Sequence, residues 1–161
     1  MNIIKKIYYL NFLYIILYFS ALPTMFAQSD KEFKYGLSVY KKGNCMGCHS
    51  WHGKGGHGAG VSLRVSKLNL DELIEVINCG RPGSGMPYFN RKAYKEEKCY
   101  DTSFDDYINN DYKPNSPKKF LNKRQILAVT YFIKENLQGK KLNKSYCESF
   151  FEKGSRVCEK L

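Results

Sequence analysis

Acidic residues are scarce in this sequence. Its 161 residues include 15 acidic and 26 basic ones, which gives a formal net charge of +11 at pH 7. Lys5 and Lys6 are the only charged residues before Gln28, so the chain from Gln28 onward has 24 basic and 15 acidic residues, or +9. A charge of this sign favours association with acidic surfaces and accelerates encounters at low salt. We therefore expect an acidic partner, either nucleic acid or a protein with an acidic docking surface.

A hydrophobic run long enough to span a membrane is also lacking. The apolar stretch 7–22 is shorter than the roughly twenty residues of a spanning helix, and it contains Asn11. Two lysines precede it and the small residue Ala27 follows it, as in a secretory signal peptide. We predict a signal peptide at 1–27, cleaved after Ala27, and one domain at 28–161. The alternative is an uncleaved membrane anchor; either way the domain is exported, most simply to a periplasm, where nucleic acid is not a partner.

The patterns of zinc sites and thioredoxin-like sites are incomplete here. Residues 45–49 form the run C-x-x-C-H, but no second Cys/His pair follows at comparable spacing, and no βα pattern surrounds it. This spacing instead allows Cys45 and Cys48 to reach the two vinyl groups at one edge of a haem, with His49 under the iron. We predict one covalent haem c on Cys45 and Cys48, with His49 as the proximal iron ligand. A chance pentapeptide is the remaining alternative.

Three amphipathic helices are predicted from apolar residues at helical spacing. The first covers residues 30–42, the second follows Asn69 and stops at Gly80, and the third follows Asn122 and runs up to Gly139. Asparagine at the start of a helix and glycine at its end are typical capping residues.

Gly36 lies inside the first of these helices, where glycine costs roughly 1 kcal/mol relative to alanine. We interpret this as a close approach by another backbone or ring. Tyr131 and Phe132, in the third helix, are the candidates to contact it.

A glycine-rich stretch follows the C-x-x-C-H run, at residues 51–60, and is predicted to be a loop. Trp51 is expected to fill the edge of the core. His52 and His57 are alternative iron ligands, but histidines in such a loop are more often solvated.

Met86 is the candidate for the distal iron ligand. It lies in a turn-rich segment between Gly85 and Pro87, after one helix that separates it from the C-x-x-C-H run. A lone methionine often only fills a core, but this context favours ligation, and Met46, between the two cysteines, is not a candidate. Arg64 and Arg81 are the candidates to pair with the haem propionates.

Four cysteines remain after the haem motif, and an even number in an exported chain indicates two disulfides. Three pairings are open. We favour Cys79–Cys99, which closes a loop containing Met86, and Cys147–Cys158, which staples the C-terminal tail.

With His49 and Met86 assigned, residues 33–138 resemble class I cytochromes c. The resemblance implies an all-α fold whose first and last helices cross at a small residue and an aromatic, for which Gly36, Tyr40 and Tyr131 are the counterparts. Such proteins often have a proline after the haem-site loop whose carbonyl orients the axial histidine. This sequence has Val61 there, and its carbonyl can still accept the bond.

A narrower resemblance covers nearly the whole exported chain. The segments 79–83 and 86–89, the Cys99-Tyr100 pair and the C-terminal cysteines are similar to small periplasmic monohaem cytochromes associated with PQQ-dependent alcohol dehydrogenases. The fold class is then a class I cytochrome c fold with a tyrosine-rich insertion at 90–121 and a disulfide-stapled tail. The insertion is either a docking surface or a bracing loop.

These expectations together describe a periplasmic one-electron carrier rather than an enzyme. Iron with two axial protein ligands has no open position for a substrate, and methionine ligation raises the reduction potential. A quinoprotein dehydrogenase is the expected donor, and a terminal oxidase or another cytochrome the acceptor. The alternative is a five-coordinate haem protein that binds or senses a gas because Met86 is not bound; peroxidase-type catalysis is less favoured, since no distal base is identifiable.

Overall fold

The computed structural model of the chain describes residues 30–56, 60–107 and 112–161. Contacts divide the chain into two units, residues 1–34 and 35–161. The predicted signal peptide lies outside the described residues, and so does His57. None of the helices in the described ranges is long and apolar enough to cross a bilayer.

Helices are the regular elements of these ranges, which contain isolated β-bridges but no strand. The helices are α1 (residues 30–42), α2 (Cys45–His49), α3 (Leu70–Cys79), α4 (Lys123–Asn136), α5 (Lys144–Phe151) and α6 (Arg156–Glu159), with a 3-10 turn at Phe104–Asp106. The predicted all-α fold class is confirmed.

The starts of α3 and α4 are fixed by reciprocal side-chain caps. Asn69 accepts a hydrogen bond from the Glu72 amide at 3.0 Å, and the Glu72 carboxylate accepts one from the Asn69 amide at 2.7 Å. Asn122 and Gln125 form the same pair at 2.9 and 3.1 Å. Each cap satisfies two amides that the helix itself leaves unpaired. Both helix starts agree with the sequence prediction.

The crossing of α1 and α4 explains Gly36. A Cβ atom at this position would lie 2.6 Å from Phe132 Cβ and 2.8 Å from the Ala128 carbonyl oxygen, so only glycine permits the approach. The ring of Tyr40 lies 5.6 Å from that of Phe132. The aromatic at the crossing is therefore Phe132. Of the two candidates, Phe132 is thus confirmed. Tyr131, the residue before it, is 51% exposed and was the wrong candidate.

The insertion at 90–121 folds around a small core that it shares with Cys79 and Tyr88, which we call the insertion cluster. The Cys79–Cys99 disulfide, with an S–S distance of 2.05 Å, joins it to the end of α3. Its aromatic members are Tyr88, Tyr94, Phe104, Tyr107 and Phe120. The predicted irregular segment is thus braced from within, although little of it is helical.

The tail forms a second small core, the tail cluster, in which Trp51 packs against Tyr146, Phe150 and Phe151. The Cys147–Cys158 disulfide staples α5 to α6 at an S–S distance of 2.01 Å. Both favoured cysteine pairings are present in the structure, and Trp51 fills a core as expected.

We expect Gly36→Ala to destabilise the protein by about 1–2 kcal/mol. Overpacking costs about 1–3 kcal/mol, and the backbone oxygen of Ala128 cannot rotate away, whereas the gain in helix propensity is at most about 1 kcal/mol. Urea unfolding of the haem-loaded protein measures the difference. Ser38→Ala is the control, because Ser38 is exposed on the same helix and its hydroxyl donates to the nearby Tyr35 carbonyl. A Gly36→Ala protein as stable as the unmutated one would contradict the close approach.

Candidate functional site

The C-x-x-C-H run forms α2, one short helical turn that begins after Asn44 in the left-handed conformation (φ 55°). Cys45 and Cys48 are free, whereas the other four cysteines form the two disulfides. Burial raises the pKa of the Cys45 thiol to about 12, so this thiol is protonated at physiological pH. Two free thiols on one helical turn are thus available for thioether formation.

A cavity of about 380 Å³ opens beside α2. It is bordered by Cys45, Cys48, His49, Arg81 and Met86, so the structure brings together five of the six predicted site residues. Its walls are largely apolar and come mainly from α3, α4 and the segments on either side of them; among them are Leu63, Leu73, Ile77, Phe89, Val129 and Ile133. An apolar cavity beside two thiols fits a covalently held macrocycle.

The proximal side depends on one hydrogen bond. His49 Nδ1 lies 2.7 Å from the Val61 carbonyl oxygen, which makes Nδ1 the donor and leaves Nε2 as the nitrogen able to bind a metal. A side chain on Gly60 would clash with the Cys48 carbonyl, so this glycine lets the loop lie directly against α2. The carbonyl of Val61 therefore lies within hydrogen-bonding distance of the histidine, as expected for the position at which the resembling proteins often have proline.

His49 is held in its neutral form. Burial lowers its pKa below the ordinary 6.5, and the charge of Arg81 lowers it further, while the hydrogen bond to Val61 opposes them. Only the neutral imidazole has a lone pair to offer a metal.

The segment that carries Met86 is a tight turn held from both sides. Within it, the Arg81 amide donates to the Met86 carbonyl at 3.2 Å. From outside, the Gly83 amide donates to the Tyr112 carbonyl at 3.1 Å, and the Tyr100 hydroxyl donates to the Gly80 carbonyl at 2.8 Å. The insertion thus fixes the segment that places Met86 at the cavity.

The charged residues around the cavity have one sign. Arg81 and Lys118 border it, and no aspartate or glutamate is found among the described residues that line it. A haem carries two propionates, so two cations and no carboxylate suit its charge. Sequence reasoning identified Arg81 but missed Lys118, because the irregular segment after Pro117 has no periodicity that would indicate its direction.

Arg64 is not among the cavity residues. It is 7% exposed, and its guanidinium donates to the carbonyls of His52 and Lys140 and lies over the Tyr146 ring at 5.0 Å. Leu63 borders the cavity, and the next residue along the chain is directed elsewhere. The structure therefore does not bring Arg64 to the predicted propionate position.

His52 also lies away from the cavity. Its Nδ1 accepts a hydrogen bond from the Lys54 amide at 3.1 Å, and its ring lies 5.2 Å from that of Trp51. The structure therefore places His52 in the loop and does not bring it to the cavity.

Comparisons with known proteins agree with this geometry. The family model described as Cytochrome c matches residues 33–136, more than half of the chain. No curated protein and no solved structure matches this chain. The match begins in α1, ends with α4 and includes the two free cysteines, His49 and Met86. This chain belongs to the cytochrome c family, whose members carry covalent haem c and transfer electrons.

Proposed function

We propose that this cytochrome is an exported one-electron carrier whose iron is held by His49 and Met86. The observation that carries the proposal is that an imidazole and a thioether, 37 positions apart in the sequence, border the same cavity as the two free cysteines. When bound, haem c supplies a one-electron Fe(III)/Fe(II) couple. Two axial protein ligands leave the iron without an open position.

The chain's own residues tune that couple. The bond from His49 Nδ1 to Val61 orients the imidazole and raises its basicity. The thioether of Met86 is a soft ligand that favours ferrous iron and raises the potential. The apolar walls exclude water and lower the local dielectric constant, which also bears on the potential.

We further propose that residues 1–27 are a cleaved signal peptide and that the carrier works in the periplasm. Two disulfides support this location, because such bonds persist in oxidising compartments. The charge of +9 after Gln28 supports a partner with an acidic docking surface. By sequence resemblance, the proposed donor is a PQQ-dependent dehydrogenase and the proposed acceptor is a terminal oxidase or another cytochrome.

The first test concerns Met86. Sulfur ligation to ferric haem gives a weak far-red absorption band, which we expect in the purified protein and expect to be lost in Met86→Ala. Met46→Ala is the matched control, since Met46 is 37% exposed and does not border the cavity. Absence of the band in the unmutated protein, with ready binding of carbon monoxide to the reduced form, would favour the five-coordinate alternative instead.

A second test concerns the charge at the cavity. Lys118→Gln removes a positive charge that favours ferrous over ferric iron, so the midpoint potential should fall. Lys119→Gln makes the same change in net charge at a neighbour that is exposed like Lys118 but does not border the cavity, and its effect should be smaller. Redox titration of both variants measures this. Equal shifts would mean that Lys118 acts only through the net charge.

A third test concerns the partner. The rate of reduction by a quinoprotein dehydrogenase should fall as ionic strength rises, because the Debye length shrinks from about 30 Å at 0.01 M to about 8 Å at 0.15 M. Stopped-flow mixing at a series of salt concentrations measures the dependence. A rate that rises with salt would contradict an acidic docking surface.

A further inference from the structure

The C-terminal tail contacts both ends of the loop between His49 and Arg64. The tail residues concerned, 139–151, lie beyond the part of the chain that the cytochrome c family model matches. This contact therefore lies outside what the family match describes, and it is next to the proposed proximal ligand.

The first end of the loop is held through Trp51, two residues after His49. The Tyr146 hydroxyl donates to the Trp51 carbonyl at 2.8 Å. The two rings are nearly parallel, with centroids 6.2 Å apart and an interplanar angle of 13°, and the Phe151 ring meets that of Trp51 edge-on at 4.8 Å. Trp51 is thus fixed by its backbone and by its ring.

The second end is held through Arg64, three residues after Val61. The Arg64 carbonyl accepts a bond from the Gly139 amide at 2.8 Å, and Arg64 Nη1 donates to the Lys140 carbonyl at 2.8 Å. The guanidinium lies over the ring of Tyr146. The same tyrosine therefore contacts both ends of the loop.

The loop transmits these contacts to Val61. The Gly53 carbonyl accepts a bond from the Leu63 amide at 2.8 Å, and Arg64 Nε donates to the His52 carbonyl, so the two sides of the loop are tied together. The acceptor of the His49 bond lies inside this tied loop. A shift at either end therefore displaces the Val61 carbonyl relative to His49.

We propose that Tyr146 is a positioning residue for the haem: through Trp51 and Arg64 it sets the hydrogen bond between His49 and Val61, and with it the reduction potential. This rests on the proposed function, in which His49 is an iron ligand. Burial raises the pKa of Tyr146 to about 12, and Arg64 opposes the rise. The hydroxyl is therefore a neutral donor throughout the physiological pH range.

The direction of the effect follows from ligand chemistry. A strong Nδ1–H bond makes the imidazole a better electron donor, which favours ferric iron and lowers the potential. Loss of the anchor lengthens that bond, so the potential should rise. A tail that only stabilised the fold would lower the unfolding midpoint and leave the potential unchanged.

The experiment compares Tyr146→Phe with Tyr131→Phe in the full haem-loaded protein. Tyr146→Phe keeps the ring and removes only the donor to Trp51. Tyr131 is half exposed on α4 and does not border the cavity, so its variant is the matched control. Arg64→Lys is a second variant that keeps the charge but cannot reach both carbonyls. Midpoint potential, solvent exchange of the His49 Nδ1 proton by NMR, and the urea unfolding midpoint are measured for each.

We expect a higher potential and faster exchange of the His49 proton in Tyr146→Phe and Arg64→Lys, with both values unchanged in Tyr131→Phe. Unchanged potentials in both test variants, or an equal rise in Tyr131→Phe, would overturn the proposal. The far-red band of the unmutated protein is recorded first. Its absence contradicts Met86 ligation, and the comparison of variants still reports on His49.

Discussion

The hydrogen bond from His49 Nδ1 to the Val61 carbonyl is the interaction on which the site depends most. His49 ends a helix of only five residues, which is too short to hold a side chain in place by itself. Its orientation comes from a loop whose carbonyl lies 12 positions later in the sequence. That loop needs Gly60 to approach α2 and needs the tail to fix its ends. The orientation of the His49 ring therefore depends on residues far along the chain.

Met86, the proposed second ligand, is held in the same way by a different part of the chain. Met86 lies in a turn without helical support, and the insertion fixes that turn through Tyr100 and Tyr112. Because the apolar faces of α3 and α4 line the cavity, these faces are not available to the loops. The loops must find other apolar partners. The tail cluster and the insertion cluster supply them, and a disulfide closes each.

Local signals in the sequence predicted local structure well. The caps at Asn69 and Asn122 and the C-x-x-C-H run each depend on residues within a few positions, and all are found where expected. The sequence left Tyr131 and Phe132 as candidates to contact Gly36, and the structure selects Phe132, because neighbours on a helix point about 100° apart and Tyr131 is exposed. The contacts of the insertion are between distant residues and have no period, so its core and Lys118 could not be predicted.

The distribution of charge separates two roles of the basic residues. Arg81 and Lys118 are exposed to solvent and border the cavity, and none of its described lining residues is a carboxylate, so both cations can counter the charge of two propionates at its rim. These two cations then contribute little net charge to the outer surface. Attraction of a partner then depends on the other exposed lysines, whose charge solvent screens over a Debye length. A substitution among those lysines therefore changes the rate of encounter, whereas a substitution at the cavity changes the reduction potential.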